Sequence, residues 1–402
     1  MKPVDTIFDA NVRASIPIVT AALVSRFGNF ADCEDAVQEA LLDATVTWAR
    51  EGRPRDVRGW LLTAARRRYI DAVRSDAARR GREERDAALD RQDAEVRDED
   101  DSLALLVLCC HPALQPQAQV ALTLRAVCGL STAQVAAAYY VSEATMAQRI
   151  TRAKRAIDAD GRRFGLPGAA ELEGRAGSVR TALYLMFNEG YAPRDGGSAV
   201  HAELVTESIR LTRLLHAALP RDAETMALLA LMLLTDARTG ARSDAEGALI
   251  ALPDQDRALW DRNELSEGRR HAAAALAAGP ASPLVIEAGI AAVHAAAADA
   301  GSTDWRQILA LYDLHQSIAP SPIVQLNRAV AVAEVDGPEA ALALVDALGL
   351  DAQHRFHAIR ADLLRRLDRR AEAAAAYDAA IALSANVAER AFLEKMRESV
   401  SP

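Results

Sequence analysis

Between Cys33 and Ala49 the apolar residues Ala36, Val37, Ala40, Leu41, Ala44 and Trp48 return every three or four positions. That spacing predicts a helix with one buried face, with Asp32 as its N-cap. The opposite face shows Asp35, Gln38, Glu39 and Asp43. Gly52 and Pro54 interrupt the pattern in the loop REGRPRD (Arg50–Asp56). A second helical run follows from Gly59 to Arg82. Trp60, Leu61, Ala64, Ala65, Ile70 and Val73 can face inward there, and Arg66, Arg67, Arg68, Arg74, Arg79, Arg80 and the Tyr69 ring take the other side. From Leu130 to Ile157 two short helical patterns stand close together. Ser131 caps the first, which holds Val135; Tyr139 and Tyr140 lie near the turn, and Ser142 caps the second. This is the layout of a helix-turn-helix. Met146 and Ile150 are its predicted buried residues, and Ala147, Gln148, Arg149, Thr151, Arg152, Lys154 and Arg155 are expected on exposed faces. Tyr140 occupies the turn position that usually takes Gly, so the turn has another geometry or its strain is offset by packing.

Beyond residue 178 roughly eleven further helices are expected, among them Ser178–Asn188, Leu204–Leu219, Glu224–Ala237 and Trp305–Ile318. Near the end the chain repeats itself. Asn327 aligns with Arg360, 33 positions on; Glu339-Ala340-Ala341 falls on Glu372-Ala373-Ala374 and Leu348 on Ile381. The period is near the ~34 residues of tetratricopeptide repeats. Length and pattern together suggest two or three domains of all-α class.

Composition agrees, since 50% of the 402 residues are hydrophobic and only 4% aromatic, a mix that favours helices over strands. The longest apolar run, Leu103–Cys110, is far shorter than the ~20 residues that span a bilayer. With no charged-then-apolar leader at Met1, a cytoplasmic protein without a membrane partner is expected. Four cysteines do not suggest a disulfide framework. Cys109, Cys110 and His111 are adjacent rather than spaced as zinc ligands usually are, so they and Cys128 read as small buried hydrophobes and no metal or cofactor is expected.

Charge is distributed in blocks. Acids and bases balance through residue 163, so the whole net charge of −9 lies beyond it. Arg50–Arg85 is rich in arginine, and Asp86–Asp101 is strongly acidic. A polyanion-binding surface followed by a solvated linker is the reading this suggests. Arginines and aromatic rings on one helix suit single-stranded DNA, where cations hold phosphates and rings stack on unpaired bases; Trp60 and Tyr69 could equally be core.

These segments, in this order, resemble a sigma-70-family sigma factor of the extracytoplasmic-function class. DCEDAVQEALLDA resembles the region 2 helix that grips core RNA polymerase, which implies Asp35, Gln38, Glu39 and Asp43 as polymerase contacts. The loop Arg50–Asp56 resembles the pocket that captures a flipped base of the −10 element, and GWLLTAARRRYIDAVR the helix that holds the melted strand. This resemblance implies Arg53, Arg55, Trp60, Arg66, Arg67, Arg68, Tyr69 and Arg74 as −10 contacts. LSTAQVAAAYYVSEATMAQRITRAKRAI resembles region 4, the −35 reader, which implies Ser142, Thr145, Ala147, Gln148, Arg149, Thr151, Arg152 and Lys154 as its contacts.

The implied domains are region 2 at 1–85, the linker at 86–101, region 4 at 102–163 and a helical extension at 178–402, with repeats near 322–399. The extension is similar to the C-terminal domain of one subgroup of that class, on the strings YLMFNEGYAPRDGG (Tyr184–Gly197), LLALMLLTDAR, PDQDRALWDRNELSEG and SPIVQLNRAVAVAEVDGP. In such subgroups the domain is thought to act as regulator, and its groove could take a protein or peptide partner. Asn188, Glu189, Arg194, Asp195, Asp236, Arg238, Asp254, Asp256, Trp260, Asp261 and Arg262 are polar or indole groups among apolar helices, best read as ion pairs and helix caps. No nucleophile stands in a recognisable setting, so no enzyme is expected. His294 and His315 read as packing residues. The alternative is a one-component DNA-binding regulator with a helical-repeat sensor, for which the acidic first helix and the arginine-rich second would lack a purpose.

Overall fold

The computed structural model describes residues 10–80, 101–139, 141–160, 164–191, 199–244, 248–384 and 386–400. The predicted linker and acidic run at 86–100, together with Tyr140, Arg194 and Asp195, lie outside them. Among the described residues the fold is all-α; an isolated bridge between Ser243 and Leu249 is the β feature present. Two compact units divide the chain, one of residues 1–191 and 199–218, the other of 192–198 and 219–402.

The first unit contains α1 (Ala10–Phe27), α2 (Phe30–Glu51), α3 (Val57–Arg80), α4 (Ser102–Cys109), α5 (Pro116–Ala126), α6 (Thr132–Ala138), α7 (Glu143–Asp160), α8 (Ala169–Tyr191) and α9 (Ala199–Ala218). Helix α2 begins three residues before its expected start. Asn29, not Asp32, is its N-cap: the Asn29 side chain accepts from the Asp32 amide at 3.1 Å and donates to the Asp32 carboxylate at 2.7 Å. The apolar stripe predicted on α2 is buried throughout, from Ala36 to Trp48. It packs against α1 and α3, where Leu61 and Ala65 complete the core.

Ser131 and Gln134 form a reciprocal capping box at the start of α6, with bonds of 2.9 and 3.2 Å. Ser142 Oγ accepts from the Thr145 amide at 3.2 Å and so caps α7. Between α5 and α6 the chain turns through Gly129 at φ +68°; a Cβ there would lie 2.1 Å from Ile16 Cδ1 of α1. That turn therefore needs glycine both for its backbone and for its contact.

The expected boundary between the helix-turn-helix part and the extension is not where the fold divides. Helix α8 packs on α4 and α5, and α9 on α1 and α4. Leu172, Val179, Leu183, Met186 and Phe187 of α8 and Leu204, Ile209, Leu211 and Leu215 of α9 are all buried. Cys109, Cys110 and Cys128 lie in this same core, and Cys128 touches Met186. Burial pushes the Cys110 thiol up to about 12.

The second unit contains α10 (Ala223–Asp236), α11 (Arg262–Ala278), α12 (Pro283–Ala296), α13 (Trp305–Ile318), α14 (Pro322–Val335), α15 (Pro338–Asp346), α16 (His354–Arg366), α17 (Arg370–Leu383) and α18 (Val387–Ser399). Contacts run mainly between successive helices, as in a stacked repeat array. The spacing of two successive helix pairs differs by one residue from the expected period. Helices α14 and α16, and likewise α15 and α17, start 32 residues apart rather than 33. At that offset buried residues fall on buried residues: Ala329 on Ala361, Val332 on Leu364, Ala341 on Ala373, Val345 on Tyr377.

Candidate nucleic-acid interface

Asp56 begins the basic helix α3 by accepting from the Gly59 amide at 2.9 Å. The loop before it exposes Arg53 and Arg55. Trp60 is half-buried and meets Trp48 edge-on at 5.1 Å, so only part of its ring is presented. Tyr69 stacks on Phe27 at 4.1 Å between centroids; the structure gives this ring a packing role. Between α2 and α3 runs a groove of ≈ 490 Å³ lined by Asp43, Trp60, Thr63, Arg67, Arg68 and Asp71. Arg67 in this lining is exposed, as is Arg74 further along α3, and Arg66 is half-buried. Arg68 bonds the Asp43 carboxylate through both Nε, at 2.7 Å, and Nη2, and stands 3.8 Å from Glu39. That bond raises the Arg68 pKa and holds its guanidinium against α2. On α2 itself Asp35 and Glu39 are exposed, with Gln38 and Asp43 half-buried.

On α7, Met146 and Ile150 are buried as expected. Ser142, Thr145, Ala147, Gln148, Thr151, Arg152 and Arg155 are exposed and share the open side of the helix. The Arg149 guanidinium lies 5.8 Å from the Tyr139 ring centre, a cation–π contact that fixes its position.

Lys154 is a correction. Its side chain is only 8% exposed and points away from the open face. Lys154 Nζ bonds Asp35 Oδ1 at 2.6 Å and touches Glu34 Oε2. Arg125 of α5 reaches the other oxygen of Glu34 at 3.2 Å, and Glu34 is wholly buried. At the end of α7, Asp158 Oδ1 accepts from the Phe30 amide at 3.1 Å, adding to the N-terminal capping of α2. Burial pulls the Lys154 pKa down, but Glu34 and Asp35 outweigh it and leave it raised; the amine stays charged.

Glu34, Arg125 and Asp158 are site residues that the sequence reading passed over. A signal was there: Glu34 falls in the stripe Phe30, Val37, Leu41, and Lys154 in the stripe Met146, Ile150, Ile157. Opposite charges each set within an apolar stripe are a hint of a buried pair.

Comparison with known families places these helices. Sigma-70 region 2 matches residues 12–79 and sigma-70 region 4 matches residues 104–157. The chain carries sigma-70 region 2 and region 4 domains. Region 2 thus spans most of α1 and all of α2 with nearly all of α3, and region 4 runs from α4 through most of α7. Residues 175–276 match a family of unknown function (DUF6596), which covers parts of both compact units. An uncharacterized protein of Rhizobium meliloti (strain 1021), R00370, is 43% identical over 388 residues, covering 94% of this chain and 92% of its own. No solved structure matches.

Beyond the two sigma-70 domains, the polar strings of the second unit are mostly structural. Asp256 caps a short turn through the Ala258 amide, and Asp261 caps α11 through the Asn263 and Glu264 amides. Trp260 is buried under the Arg257 guanidinium, 4.7 Å from its ring. His315 is buried 3.6 Å from Glu287, and His294 packs edge-on to Trp305. Among the described residues no helix is long and apolar enough to cross a membrane.

Proposed function

We propose that the protein is a sigma factor of the extracytoplasmic-function class that binds core RNA polymerase, reads −10 and −35 promoter elements and directs initiation. In this reading Asp35, Gln38, Glu39 and Asp43 meet the polymerase. The groove beside Trp60, with Arg53, Arg55, Arg66, Arg67, Arg68 and Arg74 around it, takes the melted −10 strand. Ser142, Thr145, Ala147, Gln148, Arg149, Thr151 and Arg152 face the −35 duplex. The protein does no covalent chemistry and works in the cytoplasm. The observation that carries the reading is the arrangement of α2 and α3, an acidic face and a groove where Trp60, Arg67 and Arg68 stand with Asp43 and Asp71, together with the capped helix α7, whose open side carries Gln148 and Arg152.

The second unit, with its tetratricopeptide-like hairpins, is the regulator. A cavity of ≈ 660 Å³ lined in part by Arg257, His294, Trp305, Tyr312, Asn327 and Arg355 is suited to a peptide or protein segment. The test is transcription in vitro with purified core polymerase on a library randomised in both elements. Transcripts from a defined subset of promoters, absent without this protein, are expected. Tight binding to a duplex operator with no initiation under any condition would instead identify a one-component regulator.

A further inference from the structure

The cavity of ≈ 660 Å³ in the second unit lies among α13, α14 and α16, where Trp305, Ile308, Val330 and Ile359 give it a largely apolar interior. We propose that it is a carboxylate site, which takes an organic acid whose apolar body fills the interior and whose carboxylate meets Arg355, Asn327 and Tyr312. Such a group is carried both by a free monocarboxylic acid and by a peptide ending in an apolar residue. The proposal deepens the reading of the second unit as regulator by naming what its cavity holds; the site itself rests on the lining alone.

Three observations carry it. The first is which charges of the lining are already used. Its charged side chains are Arg257, Glu334, Arg355 and Glu389. Arg257 Nη1 donates to the carbonyls of His294 and Ala297, at 2.9 and 2.7 Å, and so closes the C-terminal end of α12. Glu334 accepts from Arg366 at 2.7 Å. Glu389 is held by His354 Nε2 at 3.1 Å and by the Ser384 hydroxyl at 3.4 Å. Arg355 makes no ion pair or hydrogen bond among the described residues. It stands out in a part of the chain where acids exceed bases and the whole net charge of −9 resides. A guanidinium left free beside apolar walls is a receptor for an anion, and a carboxylate matches its planar fork with two parallel hydrogen bonds.

The second is the company Arg355 keeps. Asn327 of α14 and Tyr312 of α13 are half-buried, and their side chains make no hydrogen bond among the described residues. Burial, then Glu287, raises the Tyr312 pKa while Arg355 acts against both, so the guanidinium and the phenol are within electrostatic reach of each other. An amide, a phenol and a guanidinium from three helices thus offer free donors to one cavity. An amine would find both carboxylates of the lining engaged, so the site selects an acid.

The third is depth. Arg355 is exposed while Ile308 is wholly buried, which sets the charge at the mouth and the apolar wall at the floor. An acid entering body first keeps its carboxylate partly in water and avoids the full cost of burying a charge. Inorganic phosphate has no body to cover Ile308, Val330 and Ile359, so charge alone does not satisfy this lining.

Calorimetry on the full-length chain tests the site with octanoate, phenylbutyrate and a tripeptide ending in leucine, each beside its amide, and with inorganic phosphate. At least one acid should bind, and its amide should bind at least about tenfold more weakly, as expected for the loss of a charge-assisted hydrogen bond. Arg355→Ala should show the same loss at an unchanged urea midpoint, because no partner is stranded. Asn327→Asp, which sets a like charge against the ligand at nearly constant shape, should lose as much. Arg306→Ala, at an exposed arginine of α13 outside the lining, should bind as the parent does. Binding of the free acids alone would assign the site to a small molecule, and binding of the tripeptide alone to a peptide end; either supports it. No binding by any acid, equal binding of acids and amides, or full affinity in both Arg355→Ala and Asn327→Asp overturns it. A bound acid that leaves transcription with core polymerase unchanged would keep the carboxylate site and remove the regulator reading.

Discussion

Gln148 and Arg152 lie one turn apart on the open face of α7, yet DNA offers them different partners. A glutamine amide can donate to and accept from one adenine edge, whereas an arginine at the rim meets phosphate that every sequence carries. Gln148→Ala should therefore change which −35 sequences are used, with discrimination at one base falling by about 1–3 kcal/mol. Arg152→Ala should weaken all promoters alike and flatten the salt dependence of binding. Equal losses across a −35 mutant library for both variants would remove the assignment. In the second unit His294 links folding to acidity. Burial first, then repulsion from Arg238 and Arg257, lowers its pKa to about 4. The unfolded imidazole takes a proton near its ordinary value of about 6.5, so its contribution is complete above that pH and is lost as pH falls toward about 4. The amount is at most about 3 kcal/mol. Urea melts across this window should show a steeper acid loss for the parent than for His294→Leu. The same scale shows what the amino-acid order conveys about the site. Gln148, Thr151 and Arg152 sit where helical period puts them, because an amphipathic helix has one open side. Lys154 does not, because its charge is satisfied by acids 119 and 120 positions earlier; local periodicity marks it as anomalous but cannot name its partner.

Helices in this chain meet through small residues, and Gly268 shows one such close approach. A Cβ on Gly268 of α11 would stand 2.7 Å from Leu234 Cγ and 3.3 Å from the Ala230 carbonyl of α10. Gly268→Val should cost about 1–3 kcal/mol through overpacking, seen as a lower urea midpoint with no change in slope. Capping chemistry was readable in part: the Ser131 and Ser142 caps form where the residues imply, since their hydrogen bonds are made within three positions, whereas Asn29 takes the place expected for Asp32. The spacing of the last helix pairs was readable to within one residue, but not in register. Alanine-rich helices align almost as well one residue out of step, and only burial of Ala329 with Ala361 and Ala341 with Ala373 fixes the offset.

At the scale of the whole molecule, the division that composition suggests near residue 163 and the division of the fold differ by two helices. Charge imbalance starts after the helix-turn-helix, but α8 and α9 are amphipathic elements whose apolar sides cover α4 and α5. Nothing local in their sequence states which surface they cover, so the boundary had to come from packing. This has a direct consequence for removing the extension. A chain ending at Gly168 loses α8 and α9 and opens the faces that Leu183, Met186, Phe187, Leu211 and Leu215 now bury. Each such side chain contributes about 1.5–3 kcal/mol by burial, which together exceeds the margin by which ordinary domains are stable. That truncation should aggregate or melt far below the full chain. A chain ending at Ala218 keeps the first unit whole and should melt cooperatively on its own. Activity differences measured with the shorter form would report damage to region 4, whereas those measured with the longer form report regulation. If the Gly168 form instead melts as sharply and as high as the Ala218 form, α8 and α9 are appendages to the sigma regions, and the packing of α7 on α2 must hold without them.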